Sequence, residues 1–298
     1  MLEQTVFAPA KINLTLDVVG KRDDGYHLIQ TIMQAVDYAD TVTVRLTKEA
    51  GIRLRVSDSR LPADRRNTAW RAAAAFLDAV GEKGRGVEIA VQKAIPMEAG
   101  LAGGSADAAG VLTALNRLMD TRLTPDELCS IGEAVGADVP FCVLGGAASA
   151  EGIGTILSPL PSMPPCWLVI AKPDRGVSTA EAYRLVDRAE IPRRPRPGAV
   201  ADALCAGDLD TIGRELCNVF ETALALPEVA QIEEIMRQFD TLGCRMTGSG
   251  SAVYGIFEGK TDAQRCARRL KEEVAAVQIC RPCATGPFLV EKSLEKFV

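Results

Sequence analysis

Residues 96–106 are the part of this sequence best suited to binding a phosphate group. They read Pro-Met-Glu-Ala-Gly-Leu-Ala-Gly-Gly-Ser-Ala, and the small residues that follow predict a helix over residues 106–119. The glycines allow sharp turns, and Ser105 is placed to cap the helix. Backbone N–H groups of such a loop and the positive end of a helix dipole together bind an anion. The segment therefore predicts a nucleotide site.

The spacing excludes two common phosphate loops. A Walker loop needs Gly-Lys-Ser/Thr where this chain has Gly104-Ser105-Ala106, and a dinucleotide loop needs G-x-G-x-x-G. Because the loop contains no lysine, a metal ion or a lysine elsewhere must neutralise the phosphate charge. A glycine-rich connection that only packs a helix against a sheet is the alternative.

Lys11 and Asn13 stand two residues apart in an otherwise apolar run at residues 7–14. Side chains at this spacing share one face of a strand. Because burying an unpaired ammonium group is costly, we expect Lys11 to face a cleft that holds an anion. A lysine at an exposed strand edge is the alternative.

Asp138 is the second candidate for proton chemistry, since it follows a predicted helix and precedes an apolar run at residues 141–144. An isolated aspartate next to a proline usually belongs to a turn. Beside Lys11, however, a carboxylate stays ionised near neutrality and orients or deprotonates a hydroxyl group, as phosphoryl transfer requires.

Two further segments contain candidate ligand-binding residues. Tyr26 and His27, the only histidine, follow a charged turn and can stack on and hydrogen-bond a planar ring, although a structural histidine is the alternative. Residues 247–251 read Thr-Gly-Ser-Gly-Ser, which allows close backbone approach to a ligand but also fits a plain turn. The basic run at residues 193–197 is either a solvated loop or a lip that attracts an anionic substrate.

Composition excludes several classes of protein. With 298 residues, 47% of them hydrophobic, the chain can bury a large core and suits two domains around a cleft. A net charge of −5 and 5% aromatic residues argue against a nucleic-acid partner. No apolar stretch approaches the ~20 residues that span a bilayer. The nine cysteines are scattered, no secretory segment precedes them and ligands for zinc are lacking, so we expect a cytoplasmic protein with reduced cysteines.

The elements that must position these residues follow from hydrophobic periodicity. Asn67 is placed to cap a helix, and Thr124 to Glu127 form a capping box whose helix Gly136 is placed to end. The proline cluster at residues 159–165 predicts a domain junction, which divides the chain into residues 1–160 and 161–298. Strands are predicted at residues 5–8, 12–19, 27–36, 41–46, 52–56, 87–91, 167–171, 244–246, 252–257 and 277–281.

Together and in this order, these segments resemble the GHMP kinase family, whose phosphate loop has the form P-x-x-x-G-L-x-G-G-S. The resemblance covers residue 5 to about residue 258, and its most specific parts are residues 8–14, 24–27 and 136–141. It implies an α+β fold of two domains with the active site between them. The N-terminal domain would resemble domain 2 of ribosomal protein S5, and the C-terminal domain would be ferredoxin-like.

The resemblance also implies a reaction. Within the family, the segments are similar to those of kinases that use ATP to phosphorylate the 2-hydroxyl of a cytidine-diphosphate-linked methylerythritol, in the non-mevalonate route to isoprenoid precursors. By position, Lys11 and Asp138 match the catalytic lysine and aspartate. Tyr26 and His27 match residues that hold the cytosine. The other implied substrate-binding residues are Asn13, near the diphosphate, and Thr247, Gly248, Ser249 and Gly250.

The implied ATP site contains Asn67, near the adenine, and the whole phosphate loop, with Ser105 as a ligand of Mg²⁺. The loop residues are Pro96, Met97, Glu98, Ala99, Gly100, Leu101, Ala102, Gly103, Gly104, Ser105 and Ala106. Three of them depart from the family pattern. Glu98 adds a negative charge unless it points outward or meets a cation, Ala102 replaces a glycine and is harmless if its φ is negative, and Ala106 replaces a serine.

Other functions stay open at this point. A different small-molecule kinase of the family, acting on a mevalonate-type alcohol, homoserine or a sugar, would lack a use for a cytosine pocket. A nucleotide-binding protein without catalysis would not need both Lys11 and Asp138. The implied partner is a small molecule, and the sequence leaves both a monomer and a homodimer open.

Overall fold

The computed structural model describes residues 2–289, which form two sheets with helices packed on them. In the first sheet the main strand order is β12-β1-β2-β4-β3, with β5 and β6 continuing from β2 and β8 pairing with β1. Its strands are β1 (Glu3–Lys21), β2 (His27–Thr47), β3 (Gly51–Val56), β4 (Gly86–Gln92), β5 (Ala147–Glu151), β6 (Ile156–Leu160), β8 (Cys217–Asn218) and β12 (Phe288–Leu289).

The first two strands form one long antiparallel hairpin. The four shorter strands that we predicted here all lie within these two strands, and only the breaks that we expected at residues 9–11 and 37–40 are wrong. The register shifts between Pro9 and Ala10, between Asn13 and Thr15, and between Val18 and Gly20. Such bulges let a strand continue past an irregular residue with a local bend. The hairpin therefore carries Lys11 and Asn13 near its middle and His27 at its tip.

Four helices belong to the first half of the chain: α1 (Thr68–Ala79), α2 (Gly103–Leu118), α3 (Pro125–Glu133) and α4 (Val139–Leu144). Helix α2 packs on the hairpin so closely that a Cβ on Gly110 would lie 3.0 Å from a Val42 methyl carbon. The predicted cap by Asn67 is confirmed, because its Oδ1 accepts a hydrogen bond from the Ala69 amide at 2.9 Å. The predicted capping box at Thr124 is also confirmed.

Two predicted helix ends are wrong. Helix α2 begins at Gly103, so Ser105 lies inside its first turn, and the residue at the cap position is Ala102 with a φ of 57°. Helix α3 ends at Glu133, three residues before Gly136, with Ala134 at its C-cap. In both cases the helix boundary lies earlier in the chain than the residue that we expected to form the cap.

The second sheet is antiparallel, with the strand order β11-β7-β10-β9. Its strands are β7 (Trp167–Lys172), β9 (Gly243–Met246), β10 (Val253–Phe257) and β11 (Ala276–Cys280). The helices of this half are α5 (Thr179–Val186), α6 (Pro197–Ala206), α7 (Leu209–Glu215), α8 (Val219–Leu224), α9 (Pro227–Arg237) and α10 (Lys260–Leu270). Helices separate the first strand from the second and the third from the fourth, which is the ferredoxin-like arrangement. The predicted α+β fold is confirmed.

The division at residues 160 and 161 stays a prediction. Strand β6 ends at Leu160 in the first sheet, and β7 begins at Trp167 in the second, on either side of the proline cluster. Two short strands of the second half, β8 and β12, return to pair with β1. In the described part of the chain, no helix has the length and apolar character that crossing a membrane requires.

Candidate active site

A cavity of about 780 Å³ is lined by residues from both halves of the chain. This volume is within the range of small-molecule sites. Of the predicted site residues, Tyr26, His27, Thr247 and Ala106 are absent from its lining. The predicted residues that line it are Lys11, Asn13, Asn67, Pro96, Met97, Glu98, Ala99, Gly100, Leu101, Ala102, Gly103, Gly104, Ser105, Asp138, Gly248, Ser249 and Gly250.

Lys11 is almost fully buried and is held by two neutral oxygens. Its Nζ donates to Asn13 Oδ1 at 2.7 Å and to the Gly100 carbonyl oxygen at 3.0 Å. It forms no ion pair with any residue of the described range 2–289. An ammonium group has three hydrogens, so one is left for a ligand in the cavity. The expectation that Lys11 faces a cleft agrees with this geometry.

Asn13 connects Lys11 to the loop at residues 247–250. Besides the Lys11 ammonium, its Oδ1 accepts hydrogen bonds from the Gly248 amide at 3.0 Å and from Thr247 Oγ1 at 3.3 Å. Its Nδ2 donates to Thr31 Oγ1 at 2.8 Å. The amide oxygen is fully used inside the protein, so Asn13 orients Lys11 before any ligand arrives.

The phosphate loop and the loop at residues 247–250 touch backbone to backbone. A Cβ added to Gly100 would lie 2.0 Å from the Thr247 carbonyl oxygen, and one added to Gly248 would lie 2.6 Å from Gly100 Cα. The amides of Ser251 and Ala252 donate to the carbonyl oxygens of Glu98 and Ala99. The second half of the chain therefore braces the phosphate loop directly.

The start of α2 offers free donors to an anion. Within the described residues, the Gly103 and Gly104 amides make no hydrogen bond, as expected for the first turn of a helix. The φ of Ala102 is positive, so this substitution for glycine places an L-residue in the left-handed region and is not neutral. The Ser105 hydroxyl has no partner within residues 2–289, and a Cβ on Gly136 would lie 3.9 Å from it.

Glu98 does not point at the helix N-terminus. Its side chain packs against Gly176, where an added Cβ would meet Oε2, in the segment that follows β7. Burial lowers the pKa of Lys172, the last residue of β7, and the charge of Glu98 acts in the opposite direction. Glu98 is therefore directed to the second half of the chain, near a cation.

Asp138 lies at the N-terminus of α4, half-buried, and its side chain does not cap the helix. The carboxylate is free to act on a ligand. Burial and, next, the charge of Asp138 raise the pKa of Tyr183 to about 12. Tyr183 also lines the cavity, so its phenol stays neutral beside the carboxylate.

A buried charge cluster next to the phosphate loop was not predicted from the sequence. Lys93 Nζ donates to Asp107 Oδ2 at 2.7 Å and to Asp40 Oδ2. Asp40 Oδ1 accepts from the amides of Ala94 and Ile95 at 2.6 and 2.9 Å. Burial, with help from Asp40 and against Lys93, raises the pKa of Asp107 to about 7. The signal was a lysine and an aspartate inside apolar segments.

Tyr26 and His27 lie at the tip of the β1–β2 hairpin, beside the cavity lining rather than in it. Tyr26 is 62% exposed. The His27 ring stacks on Tyr183 with centroids 4.3 Å apart, and its Nε2 lies 2.7 Å from Asp187 Oδ1. Tyr183 is on α5 and Asp187 is its C-cap residue, about 160 residues away from His27, and no local pattern pointed to them. His27 thus reaches the cavity wall through Tyr183.

Both polar atoms of the Asn67 side chain form hydrogen bonds within the protein. Its Oδ1 accepts from Ala69, and its Nδ2 donates to the Pro62 carbonyl oxygen at 2.8 Å. It lines the cavity with its remaining surface. In the basic run, Arg194 pairs with Asp17 at 2.6 Å and Arg196 pairs with Glu215. These internal partners favour a fixed surface loop over an anion-attracting lip.

Comparison with known proteins identifies the family. Residues 67–146 match the model of the GHMP kinases N-terminal domain, and residues 200–276 match that of the GHMP kinases C-terminal domain. A relative from Caldicellulosiruptor saccharolyticus, named 4-diphosphocytidyl-2-C-methyl-D-erythritol kinase, is 45% identical over 96% of this chain and 99% of its own.

Solved structures agree with this result. A crystal structure of a 4-(cytidine 5'-diphospho)-2C-methyl-D-erythritol kinase has a TM-score of 0.79 and 35% identity over 93% of this chain and 98% of its own. A homoserine kinase from Cytophaga hutchinsonii has a TM-score of 0.78 and covers 97% and 98% of the two chains, but at 22% identity it shows the fold alone. From its two domain matches and its full-length relatives, the chain belongs to the GHMP kinase family.

Proposed function

We propose that this chain is an ATP-dependent kinase that phosphorylates the 2-hydroxyl of 4-(cytidine 5'-diphospho)-2-C-methyl-D-erythritol, releasing ADP. The observation that carries the proposal is that Lys11, Asp138 and the phosphate loop line one cavity, with Lys11 hydrogen-bonded to the loop itself. The names of full-length relatives at 45% identity support the substrate. The reaction requires two binding sites in the cavity, one for ATP and one for the cytidine-linked alcohol.

The chemistry is an in-line transfer of the γ-phosphoryl group. Asp138 accepts the hydrogen bond of the attacking 2-hydroxyl, and the free hydrogen of the Lys11 ammonium meets the negative charge that develops on the transferred group. The Gly103 and Gly104 amides hold donor phosphates at the start of α2. Because these groups are fixed before the ligands bind, most of the rate comes from positioning.

The residues present fit a magnesium ion brought in with ATP. In the described residues no cluster of three or more acidic, histidine or cysteine side chains forms a cage for a metal. Mg²⁺ bound to ATP does not need one, because phosphate oxygens and water supply most of its ligands. The Ser105 hydroxyl is a free oxygen donor in the lining and would hold it. When bound, the ion neutralises phosphate charge for which the loop has no lysine.

On the acceptor side, we assign Tyr26 and His27 to the cytosine, next to Tyr183. Asn13 and residues 247–250 form the part of the cavity wall between the ATP site and the site of the cytidine-linked alcohol. We place the reaction in the cytoplasm, which agrees with nine cysteines that are all free in the described residues. The partner is a small molecule, and both a monomer and a homodimer fit the proposal.

One assay tests the function. ATP consumption is measured with the cytidine-linked alcohol and, in parallel, with mevalonate, homoserine and galactose. We expect turnover with the cytidine-linked alcohol only, and a product that carries its new phosphate on the 2-hydroxyl. Turnover with one of the other three alcohols alone would contradict the substrate, and turnover with none would contradict catalysis.

A further inference from the structure

The contact between His27 and Asp187 determines which ring nitrogen of His27 carries a hydrogen. His27 Nε2 lies 2.7 Å from Asp187 Oδ1, and Lys21 Nζ lies 2.7 Å from Asp187 Oδ2. The hydrogen bonds from Lys21 and then His27 lower the pKa of Asp187, so its carboxyl group is ionised near neutrality. A carboxylate only accepts hydrogen bonds. Nε2 must therefore be the donor in this contact.

In the neutral form of the ring, the other nitrogen is then an acceptor. A neutral imidazole has one N–H and one lone-pair nitrogen, so an Nε2–H ring presents a lone pair at Nδ1. Within residues 2–289, Nδ1 makes no hydrogen bond and is not one of the buried polar atoms that lack a partner. It is thus open to a ligand, on a ring that stacks against the cavity residue Tyr183.

We propose that Asp187 is a positioning residue that makes His27 select cytosine over uracil in the acceptor. The inference rests on the proposed function. Cytosine has an amino group, which donates, where uracil has a carbonyl oxygen, which accepts. As an acceptor, Nδ1 forms a hydrogen bond with the amino group of cytosine but is repelled by the carbonyl oxygen of uracil. Asp187 contributes by keeping the hydrogen on Nε2.

The variant Asp187→Asn reverses this arrangement. Lys21 only donates, so it takes the amide oxygen and leaves the amide NH₂ facing His27 Nε2. Nε2 must then accept, and the hydrogen moves to Nδ1. We expect kcat/KM for the cytidine-linked alcohol to fall about 10- to 100-fold, mainly through KM. The preference over the uridine-linked analogue should shrink by a similar factor, which a merely structural role would not produce.

Two further variants use Lys21 as a matched control. Lys21→Met removes the other partner of Asp187 but keeps the contact with Nε2, so the base preference should stay at the wild-type level. In the double variant Lys21→Met/Asp187→Asn, the amide can turn its oxygen toward Nε2. The preference for cytidine should then return most of the way to the wild-type value.

Because the chain has a single histidine, ¹⁵N NMR of histidine-labelled protein at alkaline pH reports the tautomer directly. We expect Nε2–H in the wild type and Nδ1–H in Asp187→Asn. A wild-type ring with its hydrogen on Nδ1 overturns the inference, and so does an unchanged base preference in Asp187→Asn. Wild-type protein that does not turn over the cytidine-linked alcohol at all contradicts the proposed function instead, while the tautomer is still read independently.

Discussion

The two hydrogen bonds that Lys11 makes inside the protein leave its ammonium group suited to binding an anion. Asn13 and the Gly100 carbonyl take two of them and carry no net charge, so the ammonium keeps its full positive charge for the ligand. A carboxylate in their place would cancel that charge. Asp138, on the same cavity, is not paired with Lys11. Both groups are therefore available for the roles that we propose for them.

Asp138→Asn tests this division of roles. The amide keeps the size of the side chain but no longer accepts a proton, so kcat should fall by about three orders of magnitude or more, while ATP affinity stays close to the wild type. Steady-state kinetics and nucleotide titration measure the two quantities. Asp202→Asn, an exposed change on α6, is the control. Near-normal turnover of Asp138→Asn would show that another group orients the hydroxyl.

For single residues, the sequence predicted contacts correctly where the two partners are close together in the chain. The two-residue spacing placed Lys11 and Asn13 on one face, and their side chains are 2.7 Å apart. Tyr183 and Asp187 were missed because their partner His27 is far away in the chain and the sequence of α5 and its C-cap has no unusual pattern. Lys93 was missed for the same reason, since its two carboxylate partners come from other segments.

At the scale of elements, helix α2 depends on an unfavourable residue. Ala102 sits just before the helix with a φ of 57°, where a glycine would have no steric cost. We expected the helix to begin near Ser105, because serine is a common cap. The helix begins earlier, after the left-handed turn at Ala102, and residue types alone do not reveal that turn.

We expect Ala102→Gly to raise the free energy of unfolding by about 0.5 to 1 kcal/mol, because relief of the left-handed conformation outweighs the extra freedom of glycine in the unfolded chain. Ala106→Gly, inside the same helix and buried, should lower it by about 1 kcal/mol or more. Urea denaturation measures both. If the two variants are destabilised alike, Ala102 does not sit in the left-handed region.

At the scale of the whole molecule, each half contains a buried carboxyl group that holds a proton unusually well. Burial raises the pKa of Asp107 to about 7 in the first half. In the second half, burial and then Glu221 raise the pKa of Glu233 to about 7, against Arg245 and Arg237. In the unfolded chain both groups titrate near ~4. Between these values the folded protein binds more protons than the unfolded one.

This predicts a stability that falls with rising pH. The contribution of each group is complete below about pH 4 and is lost as the pH rises through about 7, so the free energy of unfolding should decrease from pH 5 to pH 7.5. Denaturation at several pH values measures the slope, and the double variant Asp107→Asn/Glu233→Gln should flatten it. A wild-type stability that increases over this interval would contradict the assignment.

The backbone contact between Gly100 and Gly248 limits how this enzyme can vary. At Gly100 and Gly248 the two loops meet through their backbones, so their separation at this point has a tolerance smaller than a methyl group. Substitutions at these two glycines cannot change the distance between the two loops in small steps. If the proposed function holds, a change of acceptor must come from residues at the rim of the cavity, such as those of the hairpin tip, while the distance between the two loops stays the same.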